Sequence, residues 1–247
     1  MRHLKTFERT LGKYRVAGAI YSYGDVIDFV DGEKQGIIIA DTCGKRRDYG
    51  NKAKKFLKEK IKEGWGSSKD AKTEILDLGR RLALAGTGKA HFEAEYSSEQ
   101  RWWDCIEFCY AHFDNDLVSL SGLRHLIFRE EGNTERYNST LGPYHFEDPG
   151  ERETAKTDLN GNDVLMIASD GLEFNIRLLY RTSKELEEYY EAPKKIIKKI
   201  VYENIKYPVD QIRDSLILKL SDYLTGGFFS KDDVTFALVK KVIPNFK

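Results

Sequence analysis

Four acidic sites in this chain stand where an apolar, strand-like run meets a turn. Ile37-Ile38-Ile39-Ala40 leads to Asp41, followed by Thr42-Cys43-Gly44. Leu165-Met166-Ile167-Ala168-Ser169 leads to Asp170, followed by Gly171. Asp232-Asp233 directly precedes Val234-Thr235-Phe236-Ala237-Leu238, and Gly24-Asp25 sits between two strand-like pieces. A carboxylate at the tip of a buried strand is costly unless it is paired, hydrogen-bonded or bound to metal. Several that converge repel one another, and a divalent cation relieves that repulsion. Ligation by oxygen alone suits Mg²⁺ or Mn²⁺ rather than zinc. Taken singly, each Asp is an ordinary turn or cap residue. Their co-occurrence in one chain is what points to a metal centre.

The elements that would carry these acids follow from the hydrophobic pattern. Tyr14 to Tyr23 and Val26 to Val30 are rich in β-branched and aromatic residues and read as strands. Asp31-Gly32 marks a hairpin turn before the continuous apolar run Gly36 to Ala40, which suits a strand buried on both faces. Lys52 to Lys62 and Asp70 to Leu84 carry apolar residues at helical spacing. Strands return at Cys105 to Phe113, Leu117 to Leu120 and His125 to Arg129, and Gly132 to Gly150 is loop-rich. Val164 to Ala168 is a second buried strand. A helical stretch runs from Lys184 to Ile205, with a Thr182-x-x-Glu185 capping box, and Pro193 is expected to kink or split it. Another helix spans Val209 to Leu224 with Ile212, Leu216, Leu220 and Tyr223 inward, and a last strand spans Val234 to Val242. Strands and helices come in blocks, which predicts an α+β fold with mostly antiparallel sheets. No gap serves as a domain boundary, so residues 1–247 are expected to form one domain.

Composition narrows the function classes. Lys plus Arg is 40 and Asp plus Glu is 40, a net charge of zero, which argues against a nucleic-acid partner. Apolar runs fall far short of the roughly 20 residues of a membrane span, so no membrane partner is expected. The Met1-Arg2-His3-Leu4-Lys5 start lacks a signal-like apolar stretch, and the 3 cysteines suit a reducing cytoplasm. The composition sets no oligomeric state.

Several local patterns carry no chemistry. Gly86-Thr87-Gly88-Lys89 lacks Gly at Ala83 and a hydroxyl at Ala90, and it follows a helix, so it is not a phosphate-binding loop. In Cys105-x-x-x-Cys109-x-x-His112, strand alternation puts His112 on the face opposite the cysteines, which spoils a zinc site. Trp102-Trp103 reads as packing or a partner surface, and Lys194, Lys195, Lys198 and Lys199 as a solvated helix face.

The ordered set Gly24-Asp25, Asp41-Thr42-Cys43-Gly44, Ser121-Gly122, Leu141-Gly142, Ser169-Asp170-Gly171-Leu172-x-Phe174 and Asp232-Asp233-Val234-Thr235 resembles the motif series of the PPM (type 2C) metal-dependent protein phosphatases, and most closely their SpoIIE-like branch. The resemblance spans about Tyr14 to Val242. It implies a four-layer αββα sandwich, two antiparallel sheets face to face with helix pairs outside. It also implies two Mn²⁺ or Mg²⁺ ions at one end of that sandwich. By motif match Asp41 would bridge the metals, with the Thr42 carbonyl as a further ligand. Asp170 and Asp232 would bind one metal, with Asp233 in Asp232's place if the register shifts by one, and Asp25 would support the centre directly or through water. Two such ions, ~3.5–4 Å apart, lower the pKa of a bridging water and screen the phosphate oxygens. The implied reaction is hydrolysis of phosphoserine or phosphothreonine in a protein, with a phosphorylated anti-sigma-factor antagonist as the kind of substrate such relatives take. Asp41 and Asp170 are the residues on which turnover should depend.

The sequence departs from the family at the first metal motif. Thr42 stands where Gly is usual, and Cys43 where many members carry a His proposed as general acid. Lys45-Arg46-Arg47 replaces a small, Ala-rich helix start; Lys45 and Arg46 are candidates to hold phosphate or to lie in a solvated loop, and Arg15 is a further candidate. Since the motifs begin by residue 25, no sensor domain is expected ahead of them. Two other readings stay open: a catalytically silent binding protein on the same fold, and a phosphohydrolase of a small metabolite.

Overall fold

The computed structural model describes residues 4–21, 25–30, 35–41, 107–114, 117–122, 125–137, 155–169, 171–177, 186–223 and 233–242. Its strands are β1 (Lys5–Leu11), β2 (Tyr14–Tyr21), β3 (Val26–Val30), β4 (Gln35–Asp41), β5 (Glu107–Asp114), β6 (Leu117–Gly122), β7 (His125–Phe128), β8 (Thr134–Tyr137), β9 (Ala155–Asp158), β10 (Val164–Ala168) and β11 (Val234–Lys241). Its helices are α1 (Gly171–Arg177), α2 (Leu186–Asn204) and α3 (Val209–Tyr223). The expected helices at 52–62 and 70–84, the Asp31-Gly32 turn and the Thr182-x-x-Glu185 box lie outside the described residues. The fold is α+β with antiparallel sheets, and the chain forms two compact units.

The first unit comprises Met1–Ser22, His125–Tyr137 and Asp158–Lys247. Its six-stranded sheet has the order β1-β2-β11-β10-β7-β8. Alternation assigns one face of that sheet to the helices: Ala17, Ala19, Val164, Met166, Val234, Phe236 and Leu238 share a core with Ile197, Val201, Ile212, Leu216 and Leu220 of α2 and α3. The other face is also buried, since every residue of β10 is, which is why its sequence is a continuous apolar run. Polar bonds close the turns. Asp163 accepts from Arg129 Nη1 at 2.9 Å, the Glu130 amide at 2.9 Å and the Asn160 amide at 3.1 Å, tying the β9–β10 turn to the end of β7.

One expectation needs correction. α2 runs unbroken through Pro193, so the helix is not split. Proline removes one intrahelical bond, but α2 is held by a long buried apolar face that includes Ile197, Ile200 and Val201. Within the loop-rich stretch, β8 pairs with β7 from Phe128↔Thr134 to His125↔Tyr137. β1, unmarked by alternation, pairs with β2 along its whole length through a connection in which Gly12 takes φ 53°.

The second unit comprises Tyr23–Arg124 and Asn138–Thr157. Its five-stranded sheet has the order β3-β4-β5-β6-β9. β3 and β4 pair antiparallel from Val26↔Ala40 to Val30↔Gly36, as a hairpin requires. Ile37, Ile38 and Ile39 are consecutive and all buried, so β4 too is covered on both faces.

Candidate metal centre

In the second unit the ladder itself gathers acids. Val26 pairs with Ala40, so Asp25 and Asp41, one residue beyond each, stand at the same end of the β3–β4 hairpin. On the other side of β4, Asp41 pairs with Glu107 at the start of β5. Three acidic positions therefore lie abreast across three strands. Asp25 is only 1% exposed. Glu107 was not singled out from sequence, because nothing local to it marks a site; only the register places it beside Asp41.

In the first unit the end of β10 meets the start of β11. The pairs run from Leu165↔Val239 to Ala168↔Phe236. Beyond them the Ser169 amide donates to the Thr235 carbonyl at 2.8 Å, and the Thr235 amide donates to Ser169 Oγ at 3.0 Å. Ser169 precedes Asp170 in the chain, and Thr235 follows Asp232-Asp233. Asp233 is buried, on the side of β11 away from Val234, Phe236 and Leu238 and hence away from the helices. Glu173, in the first turn of α1, is a further buried carboxylate at this strand end.

Thr42, Lys45, Arg46, Asp170 and Asp232 lie outside the described residues. Arg15 is not brought to the acidic end of its sheet. It pairs with Lys240, whereas Val234, next to Asp233, pairs with Tyr21 at the opposite end of β2. Arg15 instead lines an open groove of about 350 Å³ with Glu8, Arg9, Val209 and Asp210. Among the described residues, no group of three or more His, Cys, Asp or Glu side chains is gathered tightly enough to hold an ion.

The donor chemistry fits a hard divalent cation. The positions are carboxylates, and Asp25 and Asp233 are buried where an uncompensated negative charge is costly. Their Oδ1 atoms accept no hydrogen bond, while each residue makes other interactions.

No protein-family model and no curated protein matches the chain. Solved structures do. The SiaA-PP2C domain of Pseudomonas aeruginosa superposes with a TM-score of 0.64 at 12% identity, over 94% of this chain and 86% of that one. The chain has the PP2C phosphatase fold. The PP2C domain of SpoIIE from Bacillus subtilis, with a fragment of its regulatory domain, matches with a TM-score of 0.61 at 14% identity, over 97% of this chain. This chain spans 64% of that SpoIIE structure. RsbX in complex with magnesium matches with a TM-score of 0.55 at 12% identity, over 96% of this chain and 100% of that one. The PP2C fold thus agrees with the resemblance carried by the spaced acidic motifs.

Among the described residues, no helix is long and apolar enough to cross a membrane.

Proposed function

We propose that this chain is a metal-dependent phosphatase acting on phosphoserine or phosphothreonine in a protein, built as one four-layer domain over residues 1–247. One observation carries the reading: a PP2C fold in which acidic residues collect at strand ends, Asp25, Asp41 and Glu107 in one sheet and Asp233 at the β10–β11 end of the other. Asp41, the Thr42 carbonyl, Asp170 and Asp232 or Asp233 would hold two Mn²⁺ or Mg²⁺ ions, with Asp25 in support. When bound, such ions screen the phosphate oxygens and make water nucleophilic at neutral pH.

The chain's own part would be to present these carboxylates from strand ends, so that little has to reorganise when charge develops. Lys45 and Arg46, which follow the Asp41 motif in sequence, are the candidate cations for an incoming phosphate. A phosphorylated anti-sigma-factor antagonist as substrate rests on the motif resemblance to the SpoIIE-like branch, and a cytoplasmic setting on the low cysteine count.

The test is release of phosphate from p-nitrophenyl phosphate and from phosphopeptides, with Mn²⁺ or with EDTA. Metal-stimulated turnover that prefers phosphopeptides is expected, and Asp41→Ala or Asp170→Ala should remove nearly all of it. Absence of metal-stimulated release would leave a silent binding protein. Preference for small esters would leave a metabolite phosphohydrolase.

A further inference from the structure

We propose that Ser169 is a positioning residue for this metal centre, its hydroxyl fastening the acid-bearing end of β10 to that of β11. The proposal rests on the metal-dependent reading above. In an antiparallel ladder, a hydrogen-bonded pair exchanges two backbone bonds. Ser169 and Thr235 are next in register after Ala168↔Phe236. Their first bond is regular, from the Ser169 amide to the Thr235 carbonyl at 2.8 Å. The return bond is not. The Thr235 amide donates to Ser169 Oγ at 3.0 Å, where a continued ladder would use the Ser169 carbonyl.

The side chain therefore satisfies the Thr235 amide and leaves the Ser169 carbonyl outside the ladder. The ladder ends at Ser169, and its last bond, through the hydroxyl, keeps the strand end anchored. α1 starts at Gly171. Ser169 is 1% and Thr235 0% exposed, so bulk water is in no position to replace the hydroxyl. On the partner strand the same bond sits next to Val234, just after Asp232-Asp233. One hydroxyl thus sets the spacing of two acid-bearing segments.

Calorimetric titration of the full chain with Mn²⁺ tests this. Wild type should bind. Ser169→Ala should weaken Mn²⁺ binding by about 10–100-fold, as loss of a group that orients metal ligands does. Ser169→Thr, which keeps the hydroxyl, should restore affinity. Ile212→Val, a core substitution in α3, should lower the urea midpoint without moving the affinity, which separates positioning from general stability. Wild-type affinity in Ser169→Ala overturns the proposal. If the alanine variant does not fold, Ser169→Cys, with its weak sulfur acceptor, replaces it, and unchanged affinity there overturns the proposal equally. Failure of wild type to bind Mn²⁺ overturns the metal reading itself.

Discussion

The Nζ of Lys240 donates to the Ile205 carbonyl at 2.7 Å, joining the last strand to the end of α2. The same ammonium reaches the Tyr207 carbonyl at 3.1 Å and Asn162 Oδ1 at 3.2 Å. It satisfies carbonyls of the turn that follows α2. Lys240→Met should cost about 2 kcal/mol in urea unfolding, because it leaves buried acceptors behind. A cost near zero would show that water replaces the ammonium.

The same lysine has a pH signature. Burial holds its ammonium below the ordinary value of 10.5, against the opposing pull of Glu130 and Asp163. Between the folded and unfolded values the unfolded chain binds the extra proton, so stability from this group rises with pH across that interval. The stability gap between wild type and Lys240→Met should therefore widen from neutral pH toward the ordinary lysine range. A gap that narrows contradicts the assignment.

Gly18 lies beneath Phe7, its partner across β1 and β2. A Cβ at Gly18 would collide with the Phe7 ring and with the Phe236 carbonyl. Gly18→Ala should cost at least about 1–3 kcal/mol, the range for overpacking a core. Adding Phe7→Leu should recover only part of the loss, because the backbone carbonyl stays in place. Full recovery would locate the clash in the ring alone.

Arg213 anchors the edge strand to α3. Its Nη1 donates to the Phe7 carbonyl and to Glu8 Oε1, both at 3.0 Å, while Nε donates to Asp214 at 2.8 Å. Lysine lacks this planar fork, so Arg213→Lys is not conservative here. Amides of β1 should exchange with solvent faster in Arg213→Lys, and stability should fall by about 1–3 kcal/mol. Unchanged exchange in β1 would assign the anchoring to the β1–β2 ladder alone.

How far the sequence reveals this architecture depends on where each element's information resides. β10 is legible at both ends because a five-residue apolar run bounded by turn signals suits a strand covered on both faces. β1 is hidden because Lys5-Thr6-Phe7-Glu8-Arg9-Thr10 is largely exposed at a sheet edge, where charge displaces alternation. β8 and β9 are short and embedded in polar sequence, so pairing partners define them rather than their own pattern. The strand-end Asp residues are legible because each adjoins an apolar run. Glu107 and the Ser169 hydroxyl are not, since their meaning arises from register and from a bond across strands.

The register of Asp41 yields a prediction that separates charge repulsion from metal binding. Asp41 stands directly opposite Glu107, with Asp25 at the same end of the neighbouring strand. Like charges opposite one another in a ladder destabilise it by roughly 0.2–1 kcal/mol. In EDTA, Asp41→Asn should therefore unfold at the same or a slightly higher urea concentration than wild type. Saturating Mn²⁺ should invert the order: at about 100 times its dissociation constant, a ligand bound only by the folded state adds roughly 2.7 kcal/mol. Wild type should gain that increment, and Asp41→Asn, lacking a carboxylate proposed to hold the ions, should gain far less. Equal gains in the two proteins would place the bound ion away from Asp41 and remove the basis for a metal-dependent hydrolase at these strand ends.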